Sequence, residues 1–476
     1  MGKNNEIVQS DSPAYQKPAG LVKSFVRGDI WTKLSALIMG LGCFARKQIV
    51  RGCIFLAFEG LFIWYMINKG AYWISMLPSL GKVGPTKEIV KVLGRTTEQV
   101  TYNDNSFKIL LYGILTVFLI VAFLFTWALN IKAAYDAQEK EACGKKVNKF
   151  KDDLRSLVDE NFYKTLLTLP VIGITVFTFM PIVFMILIAF TNFDGAHDGY
   201  ITSLFHWVGF ANFKTMFSGS SGAGSSSYLG TFMQVLGWTL IWAFVATFSN
   251  YIFGILVALM INKKGIKLKK MWRTIFVMTI AIPQFISLLY VAKLFDKDGL
   301  VNALLMNWGV ISKAVDFWGN PTSARVLVLV LNLWVGIPYL MLIATGILMN
   351  IPQDLYEAAR IDGANPVQQF RYITMPYMLF VTAPYLLTSF TGNINNFNVI
   401  YLLSGGGPIN TKAPTSAGGV GKTDLLITWL FKITTGTDSL YYFASVISIA
   451  IFALVATLTL LVYNRLGSNK NEGDMA

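Results

Sequence analysis

The sequence predicts an all-α integral membrane protein, because its composition, its apolar segments and the placement of its charges all agree. Mean hydropathy is +0.52, hydrophobic residues make up 54% of the chain and charged residues make up 14%. Soluble domains carry about 25% charged residues. Several apolar segments reach the roughly 20 residues that a helix needs to cross a hydrocarbon core of about 30 Å. We therefore expect a bundle of transmembrane helices.

Eight apolar segments, divided by polar or charged stretches, are the predicted transmembrane helices. They are residues 54–67, 107–130, 166–190, 231–261, 274–294, 326–349, 373–397 and 441–463. An apolar patch at 34–44 is too short to span, so we expect an interfacial amphipathic helix there. The chain then divides into a cytosolic N-terminal tail with that helix (1–50), two leading spans with a charged loop (51–165), a six-helix core (166–465) and a second cytosolic tail (466–476).

The basic residues indicate the orientation of the chain in the membrane. They concentrate in both terminal tails and in the loops at 131–164 and 262–273, whereas residues 191–230 contain only Lys214. Loops rich in Lys and Arg stay in the cytosol, so both termini and the loop at 350–372 are predicted to be cytosolic. The net charge of +14 is distributed beside the spans and forms no single patch with interleaved aromatics, which argues against nucleic acid binding.

The sequence shows no arrangement of residues that is typical of catalysis or of a metal site. His197 and His206 lie in a predicted exterior loop without an acid pair, metal-ligand spacing or nucleophile elbow. Cys43, Cys53 and Cys143 have no C-x-x-C spacing, so we expect them to be reduced packing residues. The chain is therefore predicted not to be an enzyme and to bind no metal.

Residues 416–423 resemble the end of a phosphate-binding loop, but they depart from its pattern. The pattern G-x-x-x-x-G-K-[ST] needs a glycine where Ser416 stands. The segment also lies in a predicted exterior loop, as does the glycine- and serine-rich run 218–227, whose composition predicts a flexible linker. We expect no nucleotide at 416–423, so the energy for any active process must come from another subunit.

The polar loop at 350–376, between the sixth and seventh spans, is the most informative segment. Small or apolar residues recur there at helical spacing and predict a short amphipathic helix: Leu355, Ala358, Ala359 and Ile361. Gly363 is expected to end this helix in the left-handed conformation, and Asn365 with Gln368 predicts a capping box for a second helix. The pattern alone is equally compatible with a solvated connecting loop.

The residue identities in this loop carry a resemblance. The loop has E-A-A, a glycine after three more residues, an isoleucine after nine more and M-P after one more. It resembles the E-A-A loop of the membrane subunits of binding-protein-dependent ABC importers, with Met375 where the family usually has leucine. In that family the loop is a coupling helix that docks in a groove of the cytosolic ATPase. The resemblance implies the type I importer permease fold and a coupling role for five residues. These are Glu357, Ala358, Ala359, Asp362 and Gly363.

Neutral polar residues interrupt the sixth and seventh spans. The sixth contains Asn332, Gly336 and Tyr339, and the seventh contains amides that include Asn393 and Asn396 near its outer half. Neutral hydrogen-bonding groups beside aromatic faces suit a sugar better than a fixed charge would. The alternative is that these amides bond helix to helix within the bundle.

A second resemblance narrows the family. N-x-W-x-G-x-P-Y, the E-A-A loop and N-x-N-N-F followed by L-L-S-G-G-G-P are similar to the maltose/maltodextrin-type permease subunit over roughly residues 160–465. Gly392 replaces a family aromatic and Ile280 a family tyrosine, so the motifs do not specify the sugar. The best-known member also inserts a folded domain where this chain has residues 191–230. The implied substrate-binding residues are Asn332, Gly336, Tyr339, Asn393 and Asn396, with Gln284 at the position of a family serine.

These resemblances imply a non-catalytic subunit of an ATP-driven oligosaccharide importer in a prokaryotic cell membrane. The implied partners are a second homologous permease subunit, two cytosolic ATPase subunits and an extracytoplasmic sugar-binding protein. The chain itself is expected to bind no cofactor, since ATP and Mg would be used by the ATPase.

Other functions remain as alternatives at this stage. An ion-coupled secondary transporter would need membrane-embedded acids and repeated halves, and the spans offer Glu59 and no clear internal repeat. We expect Glu59 to pair with a basic residue near the cytosolic side, such as Arg51, and to have no transport role. A structural or insertase-like membrane protein would lack a sugar site. Within the importers, a permease for another sugar or for a glycerol-phosphate compound is the alternative, although a phosphorylated ligand would call for Arg or Lys within the spans.

Overall fold

The computed structural model describes residues 20–464, apart from 93–94, 219–226, 264 and 415–417. Most of the predicted linker, Ser416 and the predicted C-terminal tail lie outside the described residues. The chain divides into two compact units, Met1–Val208 and Gly209–Ala476.

In the first unit, short N-terminal helices precede long apolar helices and one β-hairpin. The elements are α1 (Leu21–Arg27), α2 (Ile30–Leu34), α3 (Leu41–Ala45), α4 (Ile49–Tyr65), α5 (Ala71–Met76), β1 (Thr86–Val92), β2 (Arg95–Thr101), α6 (Ser106–Ala142), α7 (Phe150–Val158), α8 (Phe162–Ile174) and α9 (Met180–Ile188). A π-helical turn at Met66–Gly70 joins α4 to α5, and another at Thr175–Phe179 joins α8 to α9. Each joined pair is one candidate span.

The spans of this unit are longer than the apolar segments that predict them. The first runs from Ile49 to Met76, beyond the predicted 54–67, and α6 has 37 residues where 107–130 was expected. At 1.5 Å per residue α6 is about 55 Å long. It therefore extends well past a hydrocarbon core of about 30 Å, because the charged residues after Asn130 continue the helix.

Residues 20–47, which we call the N-terminal cap, differ from the single interfacial helix expected at 34–44. They form α1, α2 and α3, which pack against α6. Gly40 has a φ of +91°, and a Cβ at this position would overlap the carbonyl oxygen of Gly52. Glycine allows this turn to lie directly against α4. Cys43 is buried, and burial raises its pKa to about 11, so the thiol stays protonated as expected of a packing residue.

Three side chains of the spans bind the backbone of the cap, and we call Glu59, Trp127 and Asn130 the clasp. Glu59 Oε2 accepts a hydrogen bond from the Met39 amide at 2.8 Å. Asn130 Oδ1 accepts from the Gly40 amide at 2.9 Å. Asn130 Nδ2 donates to the Ser35 carbonyl at 2.8 Å, and Trp127 Nε1 donates to the Ala36 carbonyl at 2.9 Å. Non-helical backbone beside apolar spans needs such partners.

The clasp gives Glu59 a structural partner, as expected, but that partner is a backbone amide and not a basic residue. Arg51, the basic residue proposed as its partner, pairs with Asp153 at 2.5 Å. Glu59 is 9% exposed and binds a backbone amide. The reason is that the cap turn brings an unpaired N–H into the span, and a carboxylate satisfies it without a cation.

A β-hairpin occupies part of the connector at 70–106, where no strand was predicted. β1 and β2 pair antiparallel from Thr86 opposite Thr101 to Val92 opposite Arg95. The sequence signal is a run of threonines and valines on both sides of a glycine, which favours strands. The hairpin is a local addition to an all-α fold, since helices dominate the described residues.

The second unit contains the remaining helices. They are α10 (Ala211–Phe217), α11 (Tyr228–Asn262), α12 (Lys269–Ala281), α13 (Gln284–Leu294), α14 (Leu300–Asn307), α15 (Pro321–Leu348), α16 (Gln353–Ile361), α17 (Pro366–Gln369), α18 (Met375–Ile394), α19 (Phe397–Ser404), α20 (Leu426–Thr435) and α21 (Tyr441–Tyr463). A π-helical turn at Phe370–Thr374 joins α17 to α18.

The predicted fifth span is broken. Helices α12 and α13 meet at an angle of 92°. Pro283 has no N–H for a helical bond, and Ile282 before it is extended with a ψ of 127°, as residues before proline prefer. Among the described residues, seven helices are long and apolar enough to span a membrane, or eight if this bent pair counts as one span.

Helix α11 lies at the centre of the second unit and contacts both α15 and α18. One buried cluster surrounds Trp242 and Val328, and a second surrounds Ile255, Met341 and Met378. The polar residues proposed for the sugar site lie on these same three helices and on the segments that adjoin them.

Candidate functional site

The loop at 350–376 has the helix, glycine elbow and second helix that the sequence predicts. Helix α16 ends at Ile361, and Gly363 has a φ of +79°, a conformation that favours glycine. The Ala364 amide donates to the Ala359 carbonyl at 2.8 Å. Asn365 and Gln368 form a reciprocal capping box with distances of 2.9 and 2.8 Å. The predicted geometry of this loop is therefore confirmed.

The residues assigned to coupling lie together on the exposed side of this loop. Glu357, Ala358, Asp362 and Gly363 are exposed and Ala359 is half-buried. Two large apolar side chains beside them are also uncovered, since Ile361 is 87% exposed and Val367 is 73% exposed. The apolar residues of α16 thus remain available to a partner.

A hydrogen bond connects α16 to the start of α18. The hydroxyls of Tyr356 and Thr374 are 2.8 Å apart, and Thr374 is buried. Tyr356, Glu357 and Arg360 also line a cavity of about 750 Å³ with the ends of α11 and α15. Any displacement of α16 therefore reaches a span directly. Tyr356 was not among the predicted residues, and the only signal for it in the sequence is its place directly before E-A-A.

Helices α11 and α15 meet at a polar point. A Cβ on Gly336 would overlap the carboxamide of Asn250, so glycine allows the Asn250 side chain to reach the backbone of α15. Asn332, one turn before Gly336, is 3% exposed. Asn250 Oδ1 and Asn332 Nδ2 are both buried and have no hydrogen-bond partner among the described residues. Unpaired buried polar atoms are uncommon and call for an explanation.

A second contact joins α11 to the end of α18. Asn393 Nδ2 donates to Thr247 Oγ1 at 2.9 Å, and Asn396 Nδ2 donates to Asn393 Oδ1 at 3.3 Å. Thr247 and Asn250 are three residues apart and hence neighbours on α11. Gly336 and Asn393 therefore meet α11 at neighbouring positions, with Asn332 one turn before Gly336 and Asn396 bonded to Asn393.

The other two predicted sugar residues lie apart from these positions. Tyr339 is 51% exposed, and its ring centroid is 6.3 Å from that of Tyr385. Gln284 begins α13 after the break, and its Oε1 accepts from Asn398 Nδ2 at 3.4 Å. The role of these six residues in sugar binding therefore stays a prediction.

Two residues of α11 were missed by sequence analysis. Thr247 and Asn250 connect the groups on α15 and α18, yet they belong to a predicted span in which no polar residue was singled out. The available signal was a carboxamide four residues from Ala246 and from Gly254, since small and polar residues at this spacing mark helix contacts in membranes.

The segment that resembles the end of a phosphate-binding loop is packed into loop structure. The Lys422 amide donates to the Pro408 carbonyl at 2.8 Å. Thr423 Oγ1 lies 2.8 Å from Ser404 Oγ. The Gly421 amide donates to Asp424 Oδ2 at 2.6 Å. These amides and hydroxyls bind protein partners in the structure.

Known proteins share these features. Residues 250–469 match the family described as binding-protein-dependent transport system inner membrane component. The chain is also 34% identical to the maltodextrin transport system permease protein of Bacillus subtilis over 446 residues, which is 92% of this chain and 96% of that protein. The chain belongs to this family of binding-protein-dependent importer permeases.

Further similarities support the assignment of this chain to the permease family. The chain is 32% identical to the galactooligosaccharides transport system permease protein of Bacillus subtilis, over 92% of this chain and 98% of that protein. A solved bacterial ABC transporter that imports the acidic polysaccharide alginate matches with a TM-score of 0.51 and 20% identity, over 66% of this chain and 96% of that chain. The permease therefore has the type I ABC importer fold and is a multi-pass membrane transport subunit.

Proposed function

We propose that this permease forms the translocation path for maltose- or maltodextrin-like oligosaccharides in an ATP-driven importer. The observation that carries the proposal is α16, an exposed helix between two spans with uncovered apolar residues and a hydrogen bond to α18. A helix so placed can receive a force from a partner and pass it to the bundle. The maltodextrin name of the relative with 34% identity supports the choice of sugar.

In this proposal α16 docks on a cytosolic ATPase. Ile361 would enter an apolar site of the ATPase, while the carboxylates of Glu357 and Asp362 would contact polar or charged groups at its edge. Closure of two ATPase subunits around ATP and Mg would then rotate the bundle as a rigid body. A second, homologous permease subunit would bind the second ATPase subunit. Both termini of this chain would lie in the cytosol.

The substrate would bind near the polar point on α11. Asn250 Oδ1 and Asn332 Nδ2 offer an unpaired acceptor and an unpaired donor, which is what a sugar hydroxyl needs. Asn393 and Asn396 would add neutral groups close by, and Tyr339 and Gln284 would approach the ligand after a rearrangement of the bundle. A sugar-binding protein outside the membrane would deliver the oligosaccharide.

The coupling role is tested by Gly363→Val in the reconstituted importer. A β-branched residue resists positive φ, and residues held in such conformations cost about 1–3 kcal/mol, so the elbow should be distorted and uptake of labelled maltodextrin should be lost while membrane insertion is unchanged. Gly309→Val is the matched control. Gly309 has a φ of +68°, follows the C-cap residue of α14 as Gly363 follows that of α16, and has open space around it. Wild-type uptake in Gly363→Val, or an equal loss in both variants, would contradict the coupling role.

Galactooligosaccharides are the second candidate substrate, because one relative of nearly full coverage is named for them. Uptake of labelled maltodextrin should be measured with each unlabelled oligosaccharide as competitor. Stronger competition by the galactooligosaccharide would replace the first candidate with the second and leave the importer role intact.

A further inference from the structure

The N-terminal cap exposes an apolar surface. On α1, Phe25 and Val26 follow Val22 by three and four positions and therefore share its helix face. Their exposed fractions are 41% and 65%, that of Val22 is 75%, and Ser24 on the opposite face is buried. Ile30, Trp31, Leu37 and Ile38, elsewhere in the cap, are exposed as well. Exposed apolar side chains in a cluster mark a surface that is covered in the working protein.

The charges of the cap are almost all positive. Residues 20–47 contain five basic residues and one acidic residue. The acidic residue, Asp29, is paired with Arg46 at 2.7 Å. Lys23 and Lys33 are exposed, and the structure shows no carboxylate paired with them in the part of the chain that it describes. The cap therefore offers cations to an anionic surface.

The attachment of the cap to α6 fixes its level along that helix. If the core begins near Phe107, about twenty residues of α6 cross it, so Trp127 lies at its far boundary. The cap is bound to α6 from Trp127, through the Ala36 carbonyl, to Gln138, whose Oε1 accepts from the Asp29 amide at 2.9 Å. Eleven residues of helix separate these contacts, or about 16 Å. The cap thus lies where hydrocarbon gives way to headgroups.

The cap is also held rigidly at this level. The clasp satisfies four backbone groups of residues 35–40, and Asp29 caps α2 by accepting from the Thr32 amide at 2.8 Å. Its apolar side chains and its lysines are therefore presented together and in a fixed position.

We propose that the N-terminal cap binds anionic phospholipid headgroups of the cytosolic leaflet. Val22, Val26 and Leu37 enter the boundary between headgroups and acyl chains to a depth of about 5–10 Å, as interfacial helices do. Lys23 and Lys33 contact the phosphates. Each basic residue near an anionic membrane strengthens association about fivefold. The inference rests on the cytosolic orientation in the proposed function, but not on the identity of the sugar.

The test places a fluorophore at Val26→Cys in the full chain, assembled with its partner subunits in nanodiscs. Cys53 and Cys143 are replaced by serine, and the buried Cys43 is retained. Brominated phosphatidylglycerol or brominated phosphatidylcholine is added at equal mole fraction as quencher. We expect both lipids to quench the probe and the anionic lipid to quench it several-fold more. Lys23→Gln with Lys33→Gln should abolish that preference and leave the quenching by phosphatidylcholine in place.

A probe at Lys145→Cys, beyond the end of α6, is the matched control and should be quenched by neither lipid. Labelling of Lys145→Cys with an impermeant thiol reagent, in vesicles of known orientation, checks the side of the membrane independently. Equal quenching by the two lipids would overturn the headgroup assignment. A Val26→Cys probe shielded from both lipids would overturn it as well and would indicate a protein cover, such as the second permease subunit. Quenching needs no transport, so a failure of maltodextrin uptake would count against the proposed function alone.

Discussion

Two groups of polar side chains lie inside spans of this permease, and they differ in how completely they are paired. In the clasp, Glu59, Trp127 and Asn130 bind four backbone groups of the cap at 2.8–2.9 Å. In the second unit, Thr247, Asn250, Asn332, Asn393 and Asn396 form what we call the amide cluster. There, Asn250 Oδ1 and Asn332 Nδ2 have no partner among the described residues.

The difference separates a structural role from a binding role. A buried polar group that finds its partner within the chain stabilises one arrangement of the helices. A buried group left unpaired costs about 1–3 kcal/mol, and such a cost is tolerated where function requires the group. We therefore expect substitutions in the clasp to affect folding and substitutions in the amide cluster to affect transport.

Asn130→Leu should have the largest effect. It leaves the Gly40 amide and the Ser35 carbonyl without partners, and two such groups at about 1–3 kcal/mol each would cost about 2–6 kcal/mol of the free energy of unfolding. The measurement is reversible unfolding in detergent. Thr126→Val on the same helix is the control, because the Thr126 hydroxyl bonds only to Ala122 one turn before it, and its effect should stay within about 0.5 kcal/mol. Equal effects would remove the distinction between the two groups.

Asn393→Ala should lower uptake and should cost less of the free energy of unfolding than Asn130→Leu, because it removes bonds only to the side chains of Thr247 and Asn396 and leaves no backbone group unpaired. If its carboxamide binds a sugar hydroxyl, the loss of about 1–3 kcal/mol corresponds to a five- to hundredfold reduction in uptake. Stimulated ATP hydrolysis should survive better, because that signal passes through α16. Both activities are measured on the same proteoliposomes. Asn395→Ala is the control at an exposed position two residues away. Unchanged uptake, or a complex that fails to assemble, would make Asn393 a packing residue.

Asn332→Leu tests whether an unpaired amide of the amide cluster contributes to the stability of the fold. Because Asn332 Nδ2 is buried without a partner, an apolar side chain of similar size should leave the free energy of unfolding unchanged or raise it by up to about 1 kcal/mol. Uptake should fall at the same time. Thermal unfolding and sugar uptake on one preparation give the result, and a destabilisation as large as that of Asn130→Leu would contradict it.

The smallest effect is expected from pH on the cap. Burial opposes ionisation of Asp29, but hydrogen bonds from Thr32 and Arg46, together with the charge of Arg46, hold its pKa below the ordinary 3.8. A depressed carboxyl pKa stabilises the folded state above the unfolded value, so this contribution is complete above about pH 4 and is lost as the pH falls through the lower folded value. The free energies of unfolding of wild type and of Asp29→Asn should differ at pH 6, and the difference should shrink as the pH falls through the lowered pKa of Asp29. A constant difference would show that geometry alone holds the cap.

The coupling loop shows how much local sequence can specify. Its helix, its elbow at Gly363 and its capping box between Asn365 and Gln368 depend on residues within four positions of one another, and all three are present as predicted. The predicted spans also correspond to helices in the structure, since each needs only a long apolar run. The exception is the fifth, where Pro283 breaks it into α12 and α13 at 92°.

The sequence by itself determined the membrane class, the number of apolar spans and the form of the coupling loop, because hydropathy, turn chemistry and capping act over a few neighbouring residues. Only the tertiary structure decided the partner of Glu59, the short helices of the cap and the contact between Asn250 and Gly336. Each of these depends on which helix faces which, and residues 20 to 90 positions apart meet in them. The sequence shows that a polar residue in a span carries a cost of burial, but only the packed helices show which group offsets that cost.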